Sequence, residues 1–266
     1  MKRLAAALAA ALSFSVHADN TAVDYSDLWW NPAHGGWGLG LDRQADVMFA
    51  TLFIYADDGS ATWLSASAVQ ATNAGQTSWS GKLYRSTGPG FASAFDPSSV
   101  GVAEVGTLRV DFSSTQKGTL TYSVDGKSVV EPIERITLRA PSAAGAYHGG
   151  ISATASGCDD DSFKGGFDVL GPFTASQNGS HVAIAFATAP GDVPSSCSFT
   201  GDYSQSGRLG RIQGNWLCSF YFALDPRVGT FTLDDVVVTA NGFAGRLSAK
   251  DQDCNYDGRV GAVRDP

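Results

Sequence analysis

The chain has 266 residues, 43% hydrophobic and 17% charged, with 31 glycines, 10 prolines and four cysteines. An ordinary apolar fraction with so little charge excludes a disordered chain, and glycines without a three-residue period exclude a collagen-like one. A formal net charge of −8 without a basic stripe excludes a phosphate backbone as partner, so no nucleic acid is expected.

Residues 1–18 read as a signal peptide. Met1-Lys2-Arg3 is a basic start, Leu4 to Val16 is an apolar run, and Ala18 is a small residue at the expected cut. Losing Lys2 and Arg3 takes the formal charge from −8 to −10. The expected product is exported, either periplasmic or secreted. No later run of about 20 apolar residues follows, so no transmembrane segment is expected.

The mature chain divides near Arg139-Ala140-Pro141-Ser142-Ala143-Ala144-Gly145, a stretch of small residues around a proline. Residues 19–140 hold five of the six tryptophans and no cysteine, whereas 141–266 hold all four cysteines and one tryptophan. So sharp a shift predicts a Trp-rich domain at 19–140 and a disulfide-containing domain at 141–266.

Strand signals run through both halves. Val47-Met48-Phe49-Ala50-Thr51-Leu52-Phe53-Ile54-Tyr55 is β-branched and aromatic; Asp57-Asp58-Gly59 turns it into Ala61-Thr62-Trp63-Leu64. Thr119 to Val124 alternates at period two and meets Asp125-Gly126, a preferred type I′ hairpin turn. In the second half Phe173-Thr174-Ala175-Ser176 and His181 to Phe186 flank Asn178-Gly179, and Gly229 to Val238 leads to Asn241-Gly242. Turn signals recur every ~8–12 residues without sustained helical periodicity, which predicts an all-β protein of up-and-down meanders. Closure removes exposed sheet edges. The expected architecture is therefore two small antiparallel β-barrels in tandem, lipocalin- or avidin-like, of seven or eight strands each; paired β-sandwiches are the alternative.

Cys158, Cys197, Cys218 and Cys254 are even in number and lack the paired short spacings of a zinc site. In an exported chain they read as two disulfides. Cys197 and Cys218 flank an expected hairpin, while Cys158 and Cys254 lie near the ends of the second half. Of three connectivities, Cys197–Cys218 with Cys158–Cys254 is preferred.

Tyr25-Ser26-Asp27-Leu28-Trp29-Trp30-Asn31-Pro32-Ala33-His34-Gly35-Gly36-Trp37-Gly38 resembles a signature of exported proteobacterial proteins, roughly W-W-N-P-x-x-x-G-W-G. Ala56-Asp57-Asp58-Gly59, Thr62-Trp63-Leu64 and the segment from Gly81 to Pro89 are similar to its continuation, so the likeness spans most of 25–138. The second half resembles a companion domain through Tyr203 to Gly210 and the ending Gly258 to Arg264. The resemblance implies an accessory role in the envelope or outside the cell, sometimes beside secreted hydrolases. It carries over no catalytic residue, and His34 stands where that group more often has an acidic or small residue.

No G-x-S-x-G, H-E-x-x-H or S-x-x-K motif occurs. His34, His148 and His181 lie in separate segments without ligand-type spacing. Asp57 beside Asp58 reads as a turn rather than a catalytic carboxylate pair, and the chain is expected to be no enzyme and to need no cofactor. The densest feature is aromatic: Trp29, Trp30 and Trp37 around the Asn31-Pro32 turn, then Trp63, Trp79 and Tyr84. Trp29, Trp30, Asn31, Trp37, Trp63 and Tyr84 are the candidate ligand contacts. Flat rings beside an amide suit a glycan or a small apolar molecule, and equally suit core packing. The glycines at 35, 36 and 38 leave room for close packing and favour Trp30 and Trp37 as core residues, with Trp29 as the exposed platform. A protein partner, reached by docking on a secreted hydrolase, is the alternative function. Asp253-Cys254-Asn255-Tyr256-Asp257-Gly258 matches the opening of a calcium loop through Asp253, Asn255 and Asp257. Its twelfth position is Arg264 rather than glutamate, so a hairpin turn at Asp257-Gly258 is favoured. Asp159-Asp160-Asp161 would join the acidic group if Cys158 and Cys254 pair.

Overall fold

Alternate residues turn inward along the strands, as Met48, Ala50 and Leu52 do between Val47 and Tyr55, and two meanders close separately. The computed structural model describes residues 23–187, 195–220 and 226–266; the expected signal peptide lies outside the described residues. The first barrel comprises β1 (Asp27–Trp30), β2 (Gly38–Gln44), β3 (Val47–Tyr55), β4 (Ala61–Ala71), β5 (Ser78–Thr87), β6 (Gly101–Phe112), β7 (Lys117–Val124) and β8 (Lys127–Arg135). The second comprises β9 (Gly145–Ser156), β10 (Gly165–Asn178), β11 (His181–Ala187), β12 (Ser195–Ser206), β13 (Leu209–Phe220), β14 (Arg227–Val238), β15 (Gly242–Lys250) and β16 (Asn255–Arg264). Every neighbouring pair is antiparallel, and each barrel closes through its ends, β1 on β8 and β16 on β9. The protein is thus two eight-stranded up-and-down barrels in tandem.

The turns follow local chemistry. Asp125 and Gly126 both adopt positive φ, as a type I′ turn requires. Between β10 and β11 the Asn-Gly signal is displaced by one residue: Asn178 pairs with His181, and the two-residue loop is Gly179–Ser180 with Gly179 at positive φ. In β14 the pairing with β15 shifts between Asp234 and Val237, where Asp235 takes φ 53°. This bulge turns Val236 into the core beside Leu233.

The first barrel is filled by its own side chains. Met48, Leu52, Leu64, Trp79, Leu83 and Leu120 are fully buried, each apolar side chain stabilising the fold by roughly 1.5–3 kcal/mol. Trp29 is among them at 0% exposure, which corrects its expected role as a platform. Its indole N–H donates to the Tyr25 carbonyl at 3.0 Å, and its ring meets Phe112 at 5.0 Å. Trp30 faces the opposite side of β1 and is half-buried rather than core; Trp37 is half-buried against the core.

The second half carries the disulfides Cys158–Cys254 and Cys197–Cys218. The latter joins residues directly opposite each other on β12 and β13. Two disulfides fit an oxidising compartment. Among the described residues no helix is long and apolar enough to cross a membrane.

Candidate functional site

The sequence candidates fall into two groups. Trp29, Asn31 and Trp37 hold the start of the first barrel together. Buried Asn31 donates from its side-chain amide to Glu131 at 2.6 Å, and its side-chain oxygen accepts from the Ala33 N–H. Glu131 also meets His34 Nδ1 at 3.1 Å. The Asn31 hydrogen bond, against a smaller opposing effect of burial, holds the Glu131 carboxyl below its usual range. Trp63 and Tyr84, in contrast, lie on the barrel exterior. Trp63 is 50% exposed and sits opposite Phe53, which is itself opposite Gly38. Phe49, Phe53 and Tyr55 alternate outward along β3, and Tyr84 is half-buried opposite Ser65.

Asp253, Asn255 and Asp257 do not converge. Asn255 opens β16 and Asp257 lies on the same outer face two residues on, so an extended backbone carries them about 7 Å apart instead of wrapping one point. Asp257-Gly258 is not a turn either: it pairs with Ser248 and Leu247 in mid-strand, and the hairpin bends at Asp251–Cys254. The disulfide does bring the two acidic runs together, since the Asp159 N–H donates to the Asp253 carbonyl. Among the described residues no three His, Cys, Asp or Glu side chains are grouped to hold a metal ion.

An apolar concave site lies in the second barrel. Its lower interior is packed by Phe173, Ile184, Leu233 and Phe243, leaving only about 20 Å³. Above them opens a cavity of about 270 Å³, lined by Phe163, Phe167, Phe199, Trp216, Arg227 and Tyr256 among other residues. The room arises because small side chains share the wall: Ala155 and Ala249 line it, and Gly229 faces Trp216 on the inner side of β14. The rings lock edge to face, Trp216 on Tyr256 at 6.0 Å and Phe167 on Tyr256 at 6.1 Å. None of these residues was a sequence candidate. The available signals were the lone second-half tryptophan and the phenylalanines between 163 and 199.

A polar rim closes one side. The Asp251 carboxylate accepts from the N–H groups of Asp253 and Cys254 and from the Tyr256 hydroxyl at 2.9 Å. Arg227 bridges Asp251 and Asp253 and stands 5.4 Å from the Phe163 ring centre. Burial opposes ionisation of Asp251, but these donors outweigh it and hold the carboxyl below its usual value. Burial, then the bond to Asp251, pushes the Tyr256 hydroxyl up to about 12. Because the unfolded chain ionises near 10, Tyr256 adds stability below pH 10 that is lost as pH rises to about 12. Tyr256→Phe should therefore remove about 1–2 kcal/mol of the alkaline loss, allowing for solvent screening. Urea melts at pH 9 and pH 11 check this, and equal pH slopes for both proteins would refute it.

Compared with known proteins, the chain matches no family model and no curated protein sequence.

Proposed function

We propose that this is an exported, non-catalytic binding protein of the cell envelope or extracellular space, holding a small apolar molecule in the mouth of the second barrel. The observation that supports this is the aromatic upper half of the second barrel, which leaves about 270 Å³, whereas the inner residues of the first barrel form one buried cluster around Trp29 and Trp79. Apolar walls with a few convergent polar groups are the usual make-up of a small-molecule site, and an eight-stranded barrel is wide enough to hold one such ligand.

A second reading is favoured by the exterior of the first barrel, where Phe53 and Trp63 stand side by side and exposed. Such a face suits the apolar side of a sugar ring, making a glycan the ligand. One pair of variants separates the two. In titrations with an apolar fluorescent dye, Ala249→Leu, which fills the cavity, should weaken binding at least tenfold while Trp63→Ala leaves it unchanged. If instead the protein is retained on polysaccharide columns and only Trp63→Ala releases it, the glycan reading stands and the cavity reading falls.

A further inference from the structure

We propose that the cavity ligand is a neutral aromatic molecule of one ring or two fused rings, held with its ring against a wall of Phe186, Phe199 and Trp216. The inference rests on the cavity reading above and names the ligand class of that same site. The three residues come from the neighbouring strands β11, β12 and β13, and all line the cavity. Phe199 pairs with Trp216 across the β12–β13 ladder. In the next inward row Phe186 pairs with Cys197, whose own partner Cys218 completes the row. Rings and disulfide sulfurs thus form one continuous, polarisable surface on one side of the barrel. On the other side the lining is aliphatic, with Ile151 and Ala155 from β9 and Leu247 and Ala249 from β15.

The wall already takes a ring from across the barrel. Tyr256, on β16 between those two aliphatic strands, meets Trp216 edge to face at 6.0 Å, and Phe231 meets Phe199 in the same way at 5.2 Å. A ligand ring in the remaining space repeats such contacts, which are worth more than the area they bury. An aliphatic ligand of equal size gains the burial alone. Charge works against the same ligand. Arg227, the one cation among the described lining residues, is engaged by Asp251 and Asp253, and the Tyr256 hydroxyl donates to Asp251. An ionised head would exchange its hydration for apolar walls without a free counter-charge on the lining. With water occupying ~30 Å³ in the liquid, 270 Å³ holds roughly ten non-hydrogen atoms.

Calorimetric titration of the full chain, disulfides intact, with phenylpropanol and cyclohexylpropanol tests this at matched size. The two differ only in the aromaticity of the ring, and the saturated one leaves water at least as readily, so hydrophobic transfer alone favours cyclohexylpropanol. Phenylpropanol should nevertheless bind at least about threefold tighter, the worth of one added ring contact. Phe199→Leu keeps the site apolar and removes a ring; it should bring that ratio below threefold by weakening phenylpropanol and leave cyclohexylpropanol nearly unchanged. If that variant misfolds, methyl NMR of the wild type decides: the Ile151 and Leu247 methyl resonances should shift several-fold further with phenylpropanol, as the ring current of a bound ring requires. A wild-type ratio below threefold, an unchanged ratio in Phe199→Leu, or equal methyl shifts would overturn the aromatic class and leave the cavity reading intact. Tighter binding of phenylpropanoate or phenylpropylamine than of phenylpropanol at neutral pH would overturn the neutral class. Failure of both alcohols to bind would remove the cavity reading and this inference together.

Discussion

Arg135→Ala should destabilise the first barrel by about 3–5 kcal/mol, the usual loss when one partner of a buried ion pair is removed. The Arg135 side chain is 0% exposed. It donates to the carboxylate of Asp27 at 2.8 Å and to the carbonyls of Thr115, Ser26 and Asp24, while its guanidinium lies 4.8 Å from the centre of the Trp29 ring. Truncation takes a donor from one carboxylate and three carbonyls at once, strips Asp27 of its buried counter-charge and opens a cavity beside Trp29. Asp27 also accepts from the Arg208 N–H of the second barrel, so the same change loosens the contact between barrels. Lysine should rescue little, because a point charge cannot serve four acceptors spread around a planar fork. Asp27→Asn should cost less, about 1–3 kcal/mol, since three carbonyls still receive the guanidinium. Urea denaturation followed by first-barrel tryptophan fluorescence measures all three; an Arg135→Ala loss below about 1 kcal/mol would refute the account.

The same ion pair settles which face of β1 is buried, a question that the room left by the glycines at 35, 36 and 38 does not address. In Tyr25-Ser26-Asp27-Leu28-Trp29-Trp30, period two puts either Tyr25, Asp27 and Trp29 or Leu28 and Trp30 toward the core. An aspartate in the first set argues for the second, and a one-residue change of register inverts every side chain. The structure takes the first set because Arg135, 108 residues away, neutralises Asp27. Nothing local signals that partner. In β3 Met48, Ala50 and Leu52 turn inward and Phe49 and Phe53 outward, a choice that a run apolar on both faces leaves open.

The cavity was illegible for a different reason. Its walls come from all eight strands of the second barrel, and each strand contributes inward residues that a sequence reads simply as core. Whether such residues meet at the axis depends on which small residues share their level. Here Ala155, Ala249 and Gly229 stand near Trp216 and Tyr256, whereas in the first barrel Trp29, Trp79, Met48 and four leucines close on each other. Strand type and turn position are local properties; residual volume is a sum over partners far apart in the chain. The acidic run at 253–257 failed likewise, because spacing suited to a wrapped loop lies here on an extended strand.

Opening the disulfides should divide the molecule. Cys158 and Cys254 are separated by 96 residues and join the end of β9 to the turn before β16; Cys197 and Cys218 are separated by 21. On chain-entropy grounds the long loop contributes about 4.7 kcal/mol and the short one about 3. The two are not additive, because the short loop lies within the long one. A Cys158→Ala, Cys254→Ala double variant should therefore lose about 4–5 kcal/mol from the second barrel and nothing from the first, which contains no cysteine. The Cys197–Cys218 pair has an additional duty: both residues line the cavity and fasten β12 to β13 at its mouth. Its removal should lower stability by about 3 kcal/mol and weaken apolar-ligand binding beyond that loss, measured under conditions where the variant remains folded. Trp216 is the only tryptophan of the second half, so its share of the fluorescence, isolated by comparison with Trp216→Phe, follows that barrel alone. A reducing agent should melt the Trp216 signal first and leave the other five in place. Simultaneous loss of both signals would mean that the barrels share one cooperative unit through Asp27 and Arg208, and that independent stapling of the second barrel is wrong.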